Sequence, residues 1–115
     1  MTTIYGIKQC DTCRKALRWL DDQGVAHQWR DVREQPLQAA DISAWLAKCD
    51  WRTLVNKRST TWRELSEAER NALDASTIVV QLLATPTLTK RPVLLHDDAL
   101  HIGFSPARYA EIFGT

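Results

Sequence analysis

Apolar residues along this chain change period at short intervals, and each change marks an element. From Thr2 to Ile7, β-branched residues and Tyr5 gather around Gly6, the composition of a short strand. From Cys10 to Gln23 the period lengthens. Cys13, Ala16, Leu17 and Leu20 share one face at 3.6-residue spacing, which predicts a helix with Gly24 as its stop. Val25, His27 and Trp29 then alternate with Ala26, Gln28 and Arg30, predicting a second strand over Val25 to Val32. Strand, helix and strand in about thirty residues make a βαβ unit, with parallel strands and a right-handed crossover.

Pro36 and Leu37 open a loop, and Asp41 is expected to cap a helix carrying Ile42, Trp45, Leu46 and Cys49 on one face. Trp51 to Asn71 breaks into short helical pieces. Thr61-Trp-Arg-Glu64 and Ser66-Glu-Ala-Glu69 each match a capping box. A further helix is predicted from Ala75 to Ala84, pairing Ile78 with Leu82 and Val79 with Leu83 before Thr85-Pro86 ends it. Pro92 to His96 is an apolar strand with proline at its first position, where a missing N–H harms a sheet least. Asp97-Asp98 turns the chain into a returning strand, Ala99 to Ile102. Ser105-Pro106 then opens a last helix with Tyr109, Ile112 and Phe113 inward.

Bulk properties narrow the class without naming a function. The 115 residues suit one hydrophobic core, and a net charge of +1 gives no sign of a nucleic-acid or membrane surface. The longest apolar runs, Ile78 to Val80 and Val93 to Leu95, are far too short to cross a bilayer. No basic leader precedes the first strand, so no signal peptide is expected. Three cysteines, an odd count without an export signal, argue against a disulfide scaffold and for the reducing cytoplasm.

The reactive thiol is the remaining question. A thiol becomes a strong nucleophile when ionised, and a helix N-terminus favours the thiolate through its dipole and unpaired N–H groups. Cys10-Asp11-Thr12-Cys13 sits at such a junction, with Lys8, Arg14 and Lys15 adding positive charge and Asp11 opposing it. Cys13 begins the apolar face and also suits a core position. No His follows it, which excludes c-type haem attachment. Cys49, His27, His96 and His101 lack the paired spacing of a zinc site, so no metal is expected. Cys49 reads as an inert buried thiol and the histidines as structural or exposed. Lys90 and Arg91 alone read as a solvated loop pair. A cis bond to Pro92 would fix a tight turn and aim the Arg91 fork at an anionic group. Asn56-Lys57-Arg58 forms a third cationic cluster, either solvated or anion-binding.

Tyr5-Gly-Ile-Lys-Gln-Cys10-Asp-Thr-Cys13-Arg14-Lys-Ala, Leu54-Val-Asn-Lys-Arg58, Lys90-Arg91-Pro92 and Gly103-Phe104-Ser105 together resemble the arsenate reductase (ArsC)/Spx family. The likeness is collinear over essentially the whole chain and is nearest to the family's YffB subgroup of bacterial proteins. It implies an α/β, thioredoxin-like domain over residues 1–115: βαβ, a helical insert at about 38–85, then ββα, forming a four-stranded mixed sheet flanked by helices. By the same resemblance Cys10 matches the nucleophilic cysteine, Arg14 the arginine of the first helix turn, and Arg91 and Pro92 the family's arginine and proline. Two further arginines of arsenate reductases fall here on Asn56 and on Gly103 or Phe104, and the family's histidine near the cysteine falls on Gly6. Arg58 is the available substitute for the first of these arginines.

With that oxyanion set incomplete, the leading expectation is a glutathione-dependent thiol–disulfide reductase using the Cys10 thiolate. No bound cofactor is expected. Glutathione would be co-substrate, with a small-molecule or protein disulfide as the other partner. Lys8, Thr12, Arg14, Arg58, Arg91 and Pro92 form the expected substrate and glutathione contacts. Cys13 stands as a resolving or redox partner, and the sequence leaves monothiol and dithiol mechanisms open. Two alternatives remain: arsenate reduction through a Cys10–arsenate adduct, coupled to glutathione or glutaredoxin, and an Spx-like redox-sensing regulator of RNA polymerase.

Overall fold

The structure, a computed structural model, describes residues 1–114; Thr115, the end of the expected domain, lies outside the described residues. In chain order the elements are β1 (Thr2–Gly6), α1 (Asp11–Asp22), β2 (Gln28–Asp31), α2 (Ala39–Leu46), α3 (Thr60–Glu64), α4 (Glu67–Asn71), α5 (Thr77–Ala84), β3 (Val93–His96), β4 (Ala99–Ile102) and α6 (Pro106–Phe113). Short 3-10 turns occupy Trp51–Leu54 and Pro86–Leu88. The chain divides into two compact units, Met1–Glu34 with the segment from Arg91 onward, and Gln35–Lys90.

The first unit is the thioredoxin-like one. Its sheet runs β2-β1-β3-β4, with β1 parallel to β2 and the other neighbours antiparallel. Ile4 pairs with Trp29 on one side and Leu94 on the other, so the three share a sheet face. Ile4 and Leu94 are fully buried against Ala16 and Leu20 of α1 and Tyr109 of α6. Tyr109 is the hub of an aromatic group. Its ring meets Trp19 edge-on at 5.6 Å and Phe104 edge-on at 4.6 Å. The β3–β4 turn places both Asp97 (φ 46°) and Asp98 (φ 70°) in the left-handed region, as a two-residue hairpin requires. Ser105 Oγ accepts from the Arg108 N–H at 3.2 Å and Pro106 takes the first turn of α6.

The second unit is helical. Ile42 and Trp45 of α2 and Ile78 and Leu82 of α5 are buried where the two helices pack. Val80 and Leu83 face outward, so the inward stripe of α5 is Ile78 with Leu82 and does not include Leu83. Val55 and Thr89 form an isolated antiparallel bridge, supported by Asn56 N donating to the Leu88 carbonyl (2.9 Å) and Lys90 N to that of Leu54 (2.7 Å).

Several boundaries differ from the periodicity, each for a local reason. β2 starts at Gln28 because Gly24 (φ 68°) turns the chain and Val25 N still donates to the Leu20 carbonyl at 2.9 Å. Gln38 occupies the N-cap of α2, while Asp41 is the third-position acid whose carboxylate accepts from Gln38 N at 2.8 Å. The helix ends at Leu46, so Cys49 lies beyond it and is half-buried. Asp50, accepting from Arg52 N at 2.9 Å, starts the next turn. Ser59 caps α3, its Oγ accepting from Trp62 N at 3.1 Å, so Thr61 and Glu64 form no box there. The Ser66–Glu69 box is present in both directions, at 3.0 Å each. α5 starts at Thr77, where Asp74 accepts from Ser76 N and Thr77 N.

Candidate active site

Cys10 stands at the N-cap of α1 in extended backbone. Its N–H donates to the Ile7 carbonyl (3.0 Å) and its carbonyl accepts from Arg14 N (3.0 Å), so the residue is pinned on both sides and its sulfur is half-buried. Burial works against the thiolate. It is outweighed by the Cys13 amide and thiol and by the Arg91 guanidinium, all placed to donate to the sulfur, and the Cys10 pKa falls below the ordinary thiol value. Arg91 precedes Pro92 across a cis peptide bond, and Pro92 is buried. The Pro92 carbonyl accepts from Gly103 N at 2.9 Å. Sheet closure thus brings Arg91 and Pro92 to Cys10 from the far end of the sequence.

Cys13 differs from Cys10 in every respect that governs reactivity. It is fully buried, and burial, reinforced by the Cys10 charge, pushes its pKa up to about 12. Cys49 is also raised, by burial and then by the Asp50 charge. Of the three thiols, Cys10 alone is shifted toward the thiolate.

The other expected contacts differ in availability. Thr12 is exposed in the first turn of α1. Arg14 is exposed, but its Nε donates to the Lys8 carbonyl (2.8 Å) and its Nη1 lies 3.6 Å from Asp11, so it first braces the loop before Cys10. Lys8 Nζ is paired with Glu34 at 2.8 Å. Arg58 belongs to the second unit, where Arg52, Thr53, Val55, Asn56, Lys57, Arg58 and Lys90 line a cleft of about 490 Å³ that contains no carboxylate. Asn56 spends its side-chain oxygen on Arg58 N at 3.1 Å.

Two residues support the site that periodicity does not single out for this purpose. Asp31, buried at the end of β2, accepts from the backbone N–H of Arg33 (2.8 Å), Lys8 (3.1 Å) and Glu34 (3.4 Å). Burial alone would raise its carboxyl pKa, but the Arg33, Lys8 and Glu34 amides and the Lys8 charge bring it below the ordinary value. An Asp ending an alternating strand just before a turn is the available sequence signal, because its side chain satisfies turn amides. The second is Gly6, whose missing side chain leaves room for the Cys13 sulfur. The histidines serve structure: His27 Nδ1 meets the Val25 carbonyl at 2.8 Å, and His96 Nδ1 meets Thr2 Oγ1 at 2.8 Å. Among the described residues, no group of three or more His, Cys, Asp or Glu side chains could hold a metal, and no helix is long and apolar enough to cross a membrane.

A half-exposed cysteine capping a helix, beside a cis-proline strand in a mixed βαβ–ββα sheet, defines a thioredoxin-like thiol site. Residues 5–112 match the ArsC family, and the chain belongs to that family. It is 44% identical over 113 residues to an uncharacterized protein of Haemophilus influenzae, covering 98% of this chain and 99% of that one. The solved structure of a YffB protein superposes with a TM-score of 0.90 at 37% identity, covering 96% of this chain and 97% of its own. The global transcriptional regulator Spx of Listeria innocua is a more distant relative, 25% identical over 107 residues, which span 91% of this chain and 81% of the regulator.

Proposed function

We propose that this chain is a glutathione-dependent thiol–disulfide reductase, acting in the cytoplasm, with Cys10 as its nucleophile. The observation that carries the reading is the Cys10 sulfur itself: accessible, at a helix N-terminus, and favoured as thiolate by Cys13 and Arg91. The thiolate attacks the glutathione sulfur of a mixed disulfide RS–SG. A Cys10–glutathione disulfide forms, and RS⁻ leaves and takes a proton from solvent. The thiolate of a second glutathione then attacks that disulfide, releasing oxidised glutathione and restoring the Cys10 thiolate. The net exchange is RS–SG + GSH → RSH + GSSG, with the one incoming glutathione thiol as reductant, so no bound cofactor is required. Arg91 steadies the charge on sulfur as it forms and returns, and Pro92 shapes the wall beside it. Thr12, Arg14 and Lys8 form the rim that meets the substrate.

Intact-mass measurement after exposure to glutathione disulfide tests this. Wild type gains one glutathione on Cys10, Cys10→Ser gains none, and Arg91→Ala, checked for folding, gains it much more slowly. An adduct on Cys10→Ser at the wild-type rate would sink the reading.

The Spx relatives favour one other reading, a redox-sensing regulator in which a Cys10–Cys13 disulfide is the switch. It requires a complex with RNA polymerase whose affinity changes on oxidation. Failure of capture in both redox states removes it. Arsenate reduction through a Cys10–arsenate adduct ranks below the glutathione reading, because by the resemblance the two further arginines fall on Asn56 and on Gly103 or Phe104.

A further inference from the structure

Gly6 closes β1 on the sheet face that meets α1. A Cβ built on it would lie 2.5 Å from the Cys13 sulfur and 3.0 Å from the Trp29 ring, closer than packed atoms tolerate. The requirement for glycine is one of space, since Gly6 is not among the glycines of positive φ. Both backbones are held here. β1 is held at this point by Val32 N donating to the Gly6 carbonyl (2.9 Å) and by the Gly6–Asp31 register. The start of α1 is held by Cys10 N on the Ile7 carbonyl (3.0 Å) and by Arg14 Nε on the Lys8 carbonyl (2.8 Å). The Cys13 thiol therefore fills the volume that the glycine leaves.

We propose that Gly6 and Cys13 are a size-matched positioning pair: the missing side chain at position 6 seats the Cys13 thiol, which donates from that seat to the Cys10 sulfur and is not the resolving nucleophile. The groups facing Cys13 support this. Burial and the Cys10 sulfur oppose its ionisation and outweigh the Ile7 backbone and the Arg91 cation, which favour it, and the Tyr109 phenol, whose own ionisation is opposed by burial and then by Cys13, offers no base. Asp31, across the strand pair from Gly6, has its carboxylate engaged by three amides. Among the described residues facing Cys13, none is a free carboxylate or imidazole that would take its proton, and a buried thiol beside a thiolate is a good donor.

The consequence for the cycle rests on the glutathione reading above: Cys10 keeps its adduct until a second glutathione arrives. The test combines two readouts, one of them independent of glutathione. The first is the pH profile of Cys10 alkylation by iodoacetamide. Cys13→Ala is expected to move the profile to higher pH, slowing alkylation several-fold at about pH 6, while Cys13→Ser, which keeps a donor, restores most of it. Gly6→Ala moves it the same way and lowers the melting temperature. In Gly6→Ala/Cys13→Ala the melting temperature returns to that of Cys13→Ala, because the clashing sulfur is gone. The second readout is the mass after glutathione disulfide, where wild type holds one glutathione and does not proceed to an internal disulfide.

Unchanged alkylation in Cys13→Ala, or additive losses in the double variant, overturns the pair. A wild type that loses two hydrogens while Cys13→Ser retains the adduct makes Cys13 the resolver and overturns the proposal as well. If the alkylation profiles behave as expected but no glutathione adduct forms on wild type, the positioning pair stands and the glutathione reading falls.

Discussion

Between Gln35 and Lys90, helices begin on their own residues: Ser59 caps α3 three residues ahead, Ser66 and Glu69 cap α4 reciprocally, and Asp74 gathers the first amides of α5. The sheet unit is held differently at its working end. The N-cap of α1 is Cys10, a half-buried thiol in place of the serines that cap α3 and α4. Its loop is fixed by Asp31 from β2, by Arg14 from one turn later, and by Arg91 from the far end of the chain. Where a helix start must remain reactive, the stabilising groups come from elsewhere in the fold. Where it need only be a helix start, serine and a following acid suffice.

That difference can be broken at its strongest point by Asp31→Ala. Three backbone N–H groups lose a buried carboxylate, and a loss of about 3 kcal/mol is expected in chemical denaturation, with slower Cys10 alkylation because the Lys8–Cys10 loop is freed. The acid limb of stability has a defined sign. The folded pKa of Asp31 is depressed, so its contribution is present above the unfolded value near 3.9 and is lost as pH falls through the lower folded value. Asp31→Asn should flatten that limb relative to wild type. If stability or alkylation in Asp31→Ala matches wild type, the loop is not held from β2.

Ser66→Ala sharpens the other side. The bond from Glu69 N to Ser66 Oγ is lost while the backbone N–H that meets Glu69 is kept, so about 1 kcal/mol is expected, with the alkylation profile of Cys10 unmoved. A shift of that profile would show that the caps of α4 are not a local matter. The smallest effect concerns Tyr109, which is buried through ring packing while its hydroxyl has no hydrogen-bond partner among the described residues. Tyr109→Phe keeps the rings and removes the buried polar group. Stability is expected to stay level or rise by up to about 1 kcal/mol, read as the denaturation midpoint. A clear loss would reveal a partner for the hydroxyl.

Short-range rules carried much of the reading. Ser105-Pro106, Asp97-Asp98 and Ser66 through Glu69 were legible because caps and tight turns are settled within a few residues. Cys10 was legible as a helix-start thiol for the same reason. Cys49 shows the limit: the inward stripe continues past Leu46, but the helix does not, because Asp50 starts a new turn and draws the chain away. At Asp41 and Thr61 the cap belongs to a neighbour one turn or less upstream, Gln38 and Ser59 respectively.

By itself, then, the sequence determined which thiol meets a helix N-terminus and the order of strands and helices that carries it. Periodicity and capping act over a few residues, and both properties are of that range. Only the tertiary structure decided how that thiol differs from its neighbour. β1 pairing with β3 brings Arg91 to the Cys10 sulfur, β1 pairing with β2 brings Asp31 under the loop, and α1 packing on the sheet presses Cys13 into the space left by Gly6. Each of these contacts depends on closing long stretches of chain, and no local pattern around Cys10 records which residues closure will deliver.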